Sequence, residues 1–214
     1  MKFQSLGILP IACDMRTVEH LAYTPAPDIV HEAAGHSPII ADNAYSRYLK
    51  NYGQVSSKAI SSLEDNDVYL AIRYLSDIKE SPKASDDDIK KAENNLKKSL
   101  ESISFISESS YLARMNWWTV EYGLIGSLED PKIYGAGLLS SIGESAWCMT
   151  DKVKKIPYSI EACKQEFDIT KPQPQLYVTP DFAHLSLVLE EFANKMALRK
   201  GGLEGIQKLI DSKN

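Results

Sequence analysis

Residues 111–126, "YLARMNWWTVEYGLIG", are apolar nearly all round, and Glu121 is the acid in their midst. A helix apolar on every side is stable only when the rest of the chain covers it. An ionised carboxylate carried inside with it is costly unless a cation or a metal meets it. Arg114 and Arg73 are available as ion-pair partners; a metal ion is the other answer.

A second stretch bears on that choice. In "DIVHEAAGHSP", residues 28–38, two histidines stand five apart with a glutamate beside the first. The alternate prolines of "YTPAPD" just before it favour extended chain, and Asp28 is a natural N-cap for a helix through "IVHEAA". Gly35 and Pro38 bracket the far end of that helix. The zinc-protease pattern H-E-x-x-H sets its imidazoles four residues apart, about 40° around a helix; five residues make about 140°. His31 and His36 therefore cannot share an ion on an unbroken α-helix. They converge if the helix ends between them, and Gly35 is where it can end. A pair of core or surface histidines remains the ordinary alternative. If Glu121 is the third ligand, two imidazoles and one carboxylate form the facial set that suits Fe(2+) and leaves positions for water, dioxygen or a cosubstrate. A closed zinc site would want four ligands, often thiolates, and Cys13, Cys148 and Cys163 are not nearby in the sequence.

The remaining sequence reads as helices joined by proline and glycine, a mainly α fold with a few short strands. Asp42 can cap a helix that stops at Gly53. Residues 54–111 are more polar and predict a solvated helical hairpin. Val68, Ile72, Leu75 and Ile78 line its first helix; Ser85 caps the second, with three acids in the first turn and a stripe of Ile89, Leu96, Leu100, Ile103 and Ile106. Gly135, Gly137 and Gly143 in "KIYGAGLLSSIGESAW" predict close backbone approach. "ITKPQPQLYVTPDF" predicts extended chain, and a last helix runs from the Asp181 cap to Gly201 and Gly202. With no repeat and no linker, residues 1–214 are expected to form one domain. A net charge of −5 and the lack of a basic stripe argue against a nucleic-acid partner. The short apolar run before Cys13 is broken by Pro10 and followed by Asp14 and Arg16, which does not make a signal. With three unpaired cysteines and no run of about 20 apolar residues, the expectation is a cytoplasmic protein off the membrane.

Three stretches resemble the pterin-dependent aromatic amino acid hydroxylases. "YTPAPDIVHEAAGHSPIIAD" is similar to their Y-T-P-E-P-D-x-x-H-E-x-x-G-H-x-P, "NWWTVEYGL" to W-F-T-V-E-F-G-L, and "YGAGLLSSIGE" to Y-G-A-G-L-L-S-S-x-G-E, in the same order. The likeness covers residues 14–53 and 111–182. It implies a single-domain hydroxylase catalytic fold with a helical insertion at about 54–111, binding Fe(2+) and tetrahydropterin. The implied reaction is dioxygen-dependent hydroxylation of an aromatic amino acid, phenylalanine to tyrosine first among the candidates. By position, His31, His36 and Glu121 match the iron ligands. Arg16 matches the arginine that holds the substrate α-carboxylate, and Thr24, Pro25, Pro27, Trp117 and Ser140 match the amino-acid pocket, Trp117 as its aromatic wall. Glu32 and Ala113 fall on the pterin side, and Asp28 and Glu144 match supporting residues behind the ligands.

The likeness departs at several places. "MKFQSLGILPIACDM" shows no counterpart of the family's pterin-gripping segment, Asn116 replaces a tyrosine, and Ser37 stands where an apolar residue is common. The C-terminal tetramerisation helix of the animal enzymes is not expected, which leaves the oligomeric state open. The alternatives are an iron oxygenase of the same scaffold with another substrate or reductant, and a non-catalytic metal-binding remnant.

Overall fold

The structure is a computed structural model that describes residues 12, 13, 15, 16, 18, 27–81, 83–169 and 171–211. Within that range the first helical segment runs through His31–His36 as a π-helical turn. It continues without interruption into α1 (Ser37–Ile40), with Pro38 near its start. Asp42 then caps α2 (Asn43–Ser56), accepting from the backbone N–H groups of Ala44 and Tyr45. The helix runs three residues past Gly53. Tyr45, Tyr48 and Tyr52 share one face of α2 by their spacing, and all three are buried in the main core.

α3 (Leu63–Glu80) and α4 (Asp86–Glu101) form the expected hairpin. Its core is a small separate cluster of Ala71, Leu75, Ala92 and Leu96, joined by Val68, Ile72, Ile78 and Ile169. The proposed stripe on the second helix is shorter than expected. α4 ends at Glu101, so Ile103 and Ile106 lie beyond it, and Leu100 is half exposed.

α5 (Glu108–Asn116) leads directly into a second π-helical turn, Trp117–Glu121, and then into β1 (Leu124–Gly126). Leu112, Met115 and Trp118 are fully buried, as an all-round apolar segment demands. β2 (Pro131–Ile133) pairs antiparallel with β1. α6 (Ala136–Leu139) and α7 (Ile142–Cys148) follow, then β3 (Lys154–Pro157), a 3-10 turn (Ile160–Lys164) and β4 (Gln175–Thr179). The sheet order is β2-β1-β4-β3, with β4 parallel to both β1 and β3. Leu176, Tyr177 and Val178 of β4 are buried and tie this small sheet to the main core.

Asp181 caps α8 (Phe182–Ala193) through the His184 N–H. The expected single helix to Gly201 is divided. α8 ends at Ala193, and α9 (Ala197–Lys200) and α10 (Gly202–Asp211) follow. The Ala197 N–H that opens α9 donates to the Glu108 carboxylate at 2.7 Å, a cap delivered from a remote helix. Gly201 and Gly202, at φ +59° and +56°, turn the chain between two helices and do not end the last one. No helix among the described residues is long and apolar enough to cross a membrane.

Candidate metal centre

The expectation that the helix breaks at Gly35 is not what the structure shows. The helix widens instead. In the π-helical turn the backbone N–H and the hydroxyl of Ser37 both reach the Glu32 carbonyl, five residues back, the hydroxyl at 2.9 Å. Bonding at i→i+5 sets residues five apart on one face, as i→i+4 does for residues four apart in an α-helix. His31 and His36 meet that spacing, with ring centroids 4.8 Å apart and Nε2 atoms 3.1 Å apart.

Glu121 arrives on the second such turn, where the Tyr122 N–H closes on the Trp117 carbonyl at 2.9 Å. Inside it, the Thr119 hydroxyl donates to the Met115 carbonyl at 2.7 Å and lies 3.0 Å from the Tyr48 hydroxyl of α2. The Glu121 carboxylate lies 3.4 Å from His31 Nε2 and 3.6 Å from His36 Nε2. One donor atom from each of His31, His36 and Glu121 fits within 4.8 Å of the others. The arginine alternative fails: Arg114 pairs with Glu166, and Arg73 lies over the Tyr69 ring.

Both turns are gripped by the glycine-rich segment. A Cβ on Gly35 would meet the Ala136 backbone oxygen at 2.7 Å, and one on Gly135 would meet the Glu121 carbonyl at 2.5 Å. Gly35 is therefore needed for close approach to α6. The Ser140 hydroxyl, at the end of α6, donates its one proton to the Ala136 carbonyl at 2.7 Å. It then accepts from His31 Nδ1–H at 2.8 Å, which fixes the tautomer and leaves the Nε2 lone pair facing His36 and Glu121. Two ring nitrogens and a carboxylate facing one point, with no thiolate among them, fit a divalent iron ion.

Asp28 does more than cap. It accepts the His31 N–H at 2.9 Å and takes Arg16 Nε and Nη2 at 2.9 and 2.6 Å. Burial pushes its pKa up, but hydrogen bonds from Arg16 and His31 outweigh burial and hold it well below the ordinary carboxylate range. Arg16 Nη1 also donates to the Ser140 carbonyl at 2.6 Å, so Ser140 serves His31 with its side chain and Arg16 with its backbone. Glu144 is buried and accepts from the Tyr122 hydroxyl at 2.7 Å; burial raises its pKa more than that bond lowers it. The Trp117 ring stacks on Phe167 at 4.4 Å and on Tyr122 at 4.5 Å. Glu32 is half-buried and accepts from the Ala12 N–H, while Ala113 and Pro27 are exposed. Thr24 and Pro25 lie outside the described residues. Sequence reasoning did not single out Tyr122 or Phe167. The signal for Tyr122 was its tyrosine where the resembling motif has phenylalanine; nothing local marked Phe167.

A family model described as biopterin-dependent aromatic amino acid hydroxylase matches residues 11–107 and 99–200. The chain belongs to this family. Rat phenylalanine-4-hydroxylase is 32% identical over 173 residues, covering 80% of this chain and 28% of the relative. The Pseudomonas aeruginosa phenylalanine-4-hydroxylase is 26% identical over 183 residues, covering 85% and 53%. The chain thus spans about half of that bacterial relative and under a third of the rat one. A structure of Chromobacterium violaceum phenylalanine hydroxylase with bound iron(III) and 7,8-dihydrobiopterin matches with a TM-score of 0.63. It is 22% identical, with 92% of this chain and 57% of that one covered, which places the hydroxylase fold on a structural footing. In this family member, the mainly α layout and four-stranded sheet agree with the expected fold class.

Proposed function

We propose that this hydroxylase-family chain is an iron(II) monooxygenase that hydroxylates the ring of an aromatic amino acid, phenylalanine first, with dioxygen and a tetrahydropterin. The observation that carries this reading is the convergence of His31, His36 and Glu121 within 4.8 Å on two widened helical turns. Iron held by these three residues would supply dioxygen activation, with electrons from the pterin.

The protein's own part is positioning. Ser140 keeps His31 in the tautomer whose Nε2 can bind the ion. Asp28 and the Ser140 carbonyl use three of the five Arg16 N–H groups. Among the described residues, that leaves one N–H on each terminal nitrogen for a substrate α-carboxylate. Trp117 would meet the substrate ring from within its aromatic stack. Thr24, Pro25, Pro27 and Ser140 complete the proposed amino-acid pocket, and Glu32 with Ala113 the pterin side. Holding ring and ion in fixed register is where such a site gains its rate.

The test is anaerobic loading with iron(II), then addition of oxygen and phenylalanine with and without tetrahydropterin. Tyrosine formed only when all are present supports the proposal. Oxygen uptake without the pterin would point to another reductant. Bound iron with no product from phenylalanine, tyrosine or tryptophan would end the monooxygenase reading.

A further inference from the structure

The glycine-rich segment ties down the first ligand-bearing turn through Ser140 and His31, and a second tie reaches the other turn. Tyr122 follows Glu121 directly, and its N–H closes the turn on the Trp117 carbonyl. Its ring is only 6% exposed, stacks on Trp117 at 4.5 Å, and lies against Gly137, where a Cβ would come within 3.0 Å of it. At its tip the hydroxyl donates to Glu144 Oε2 at 2.7 Å, and Glu144 is 5% exposed in the first turn of α7. Ring face, ring edge and hydroxyl are thus all engaged one residue after Glu121. The motif that this stretch resembles carries phenylalanine, without a hydroxyl, at this position.

We propose that the Tyr122–Glu144 hydrogen bond is a tether that fixes the exit of the second turn and so aims the Glu121 carboxylate, making Tyr122 a positioning residue for the metal. With ring and hydroxyl both anchored, the Tyr122 Cα cannot shift freely, and the peptide that joins it to Glu121 is held with it. A buried carboxylate with a hydroxyl donor is a stiff restraint, because inside the protein neither group has water to turn to. This inference rests on the metal reading of His31, His36 and Glu121.

Cobalt(II) is a suitable probe, because its visible bands report coordination geometry directly. Tyr122→Phe is expected to weaken cobalt(II) binding about tenfold, at the low end for residues behind a metal ligand, and to shift the bands. Glu144→Ala should do the same, whereas Glu144→Gln, which keeps an acceptor for the hydroxyl, should restore most of the wild-type affinity and spectrum. The Tyr122→Phe/Glu144→Ala pair should be no worse than either change alone. Unaltered affinity and spectrum in Tyr122→Phe would overturn the tether, even if the metal-free protein melted at a lower temperature, because that result marks packing alone. A wild-type chain that binds no cobalt(II) or iron(II) would instead remove the metal reading beneath it.

Discussion

The α3–α4 hairpin packs on a small apolar cluster and its helix starts are closed by short polar side chains, whereas the metal centre is held by charges that face one another inside. In the hairpin, Ser62 with Asp65 and Ser85 with Asp88 each form a reciprocal capping box, and Lys79 meets Glu93 across the pair at 3.1 Å. The capping boxes themselves are local and each is modest, although the Asp65 carboxylate also accepts from the Ser107 and Ser110 hydroxyls at 2.6 Å each. In the centre, Arg16, Asp28, Ser140 and His31 form one connected network with side chains almost wholly out of water. There, removing a member leaves its neighbours unpaired. A region of the first kind loses stability in small increments. A region of the second kind fails as a unit.

The sharpest way to break that contrast is Arg16→Ala. The side chains of Arg16 and Asp28 are 3% and 1% exposed, so the change strands a buried carboxylate. A loss of about 3–5 kcal/mol in chemical denaturation is expected, together with weaker amino-acid binding. If stability holds and only substrate affinity falls, the guanidinium was serving the substrate and not the fold, and the network description is wrong. Next in size is Gly135→Ala. Its Cβ would lie 2.5 Å from the Glu121 carbonyl and from the Gly123 nitrogen, which are backbone atoms unable to swing aside. A cost of about 3 kcal/mol, in the upper range for overpacking, is expected, with metal binding impaired because the shifted atoms belong to the Glu121 turn. Full metal affinity in a destabilised Gly135→Ala protein would show that the segment supports the fold without aiming the ligand.

The two regions also differ in how far they could be read ahead. Asp42, Ser85 and Asp181 were legible as caps because a short polar side chain and its own backbone settle a helix start between them. The hairpin was legible for the same reason, down to its core face at Leu75. The convergence of His31, His36 and Glu121 was legible as chemistry but not as geometry. Nothing in "HEAAGH" distinguishes a widened turn from an ordinary one; what meets it is Ala136 and Ser140, more than a hundred residues away in the chain. The division of the last helix was hidden likewise. No proline or glycine marks residues 194–196, and the start of α9 is set by the distant Glu108 carboxylate.

Leu75→Ala tests whether the hairpin is as separate as its small core suggests. Leu75 is 2% exposed among only a few apolar partners. The loss should fall near the low end for a buried leucine, about 2 kcal/mol, because a small cluster can close around the gap. Amide exchange should speed up in α3 and α4 before it does elsewhere, with metal affinity unchanged. One route could carry the disturbance further: Ile169 packs on this cluster, and Phe167 two residues earlier stacks on Trp117. Altered metal or amino-acid binding in Leu75→Ala would therefore mean that the hairpin reaches the site through residues 167–169.

Ser85→Ala is the smallest change and the finest test of the comparison. It removes the acceptor that holds the Asp88 N–H at 3.2 Å and the hydroxyl that reaches the Asp88 carboxylate at 2.7 Å. The Asp88 carboxylate keeps its bond from the Ser85 N–H at 3.0 Å, and Asp86 and Asp87 still face the positive end of the helix. About 1 kcal/mol should be lost, confined to exchange protection in the first turns of α4. Ser85 is exposed, so water can take up the freed Asp88 N–H. In the centre, by contrast, deletion of the Ser140 hydroxyl strands a ring nitrogen that water cannot reach. A Ser85→Ala protein that lost several kcal/mol would show that even the outer hairpin behaves as a connected network, and the distinction between the two regions would have to be abandoned.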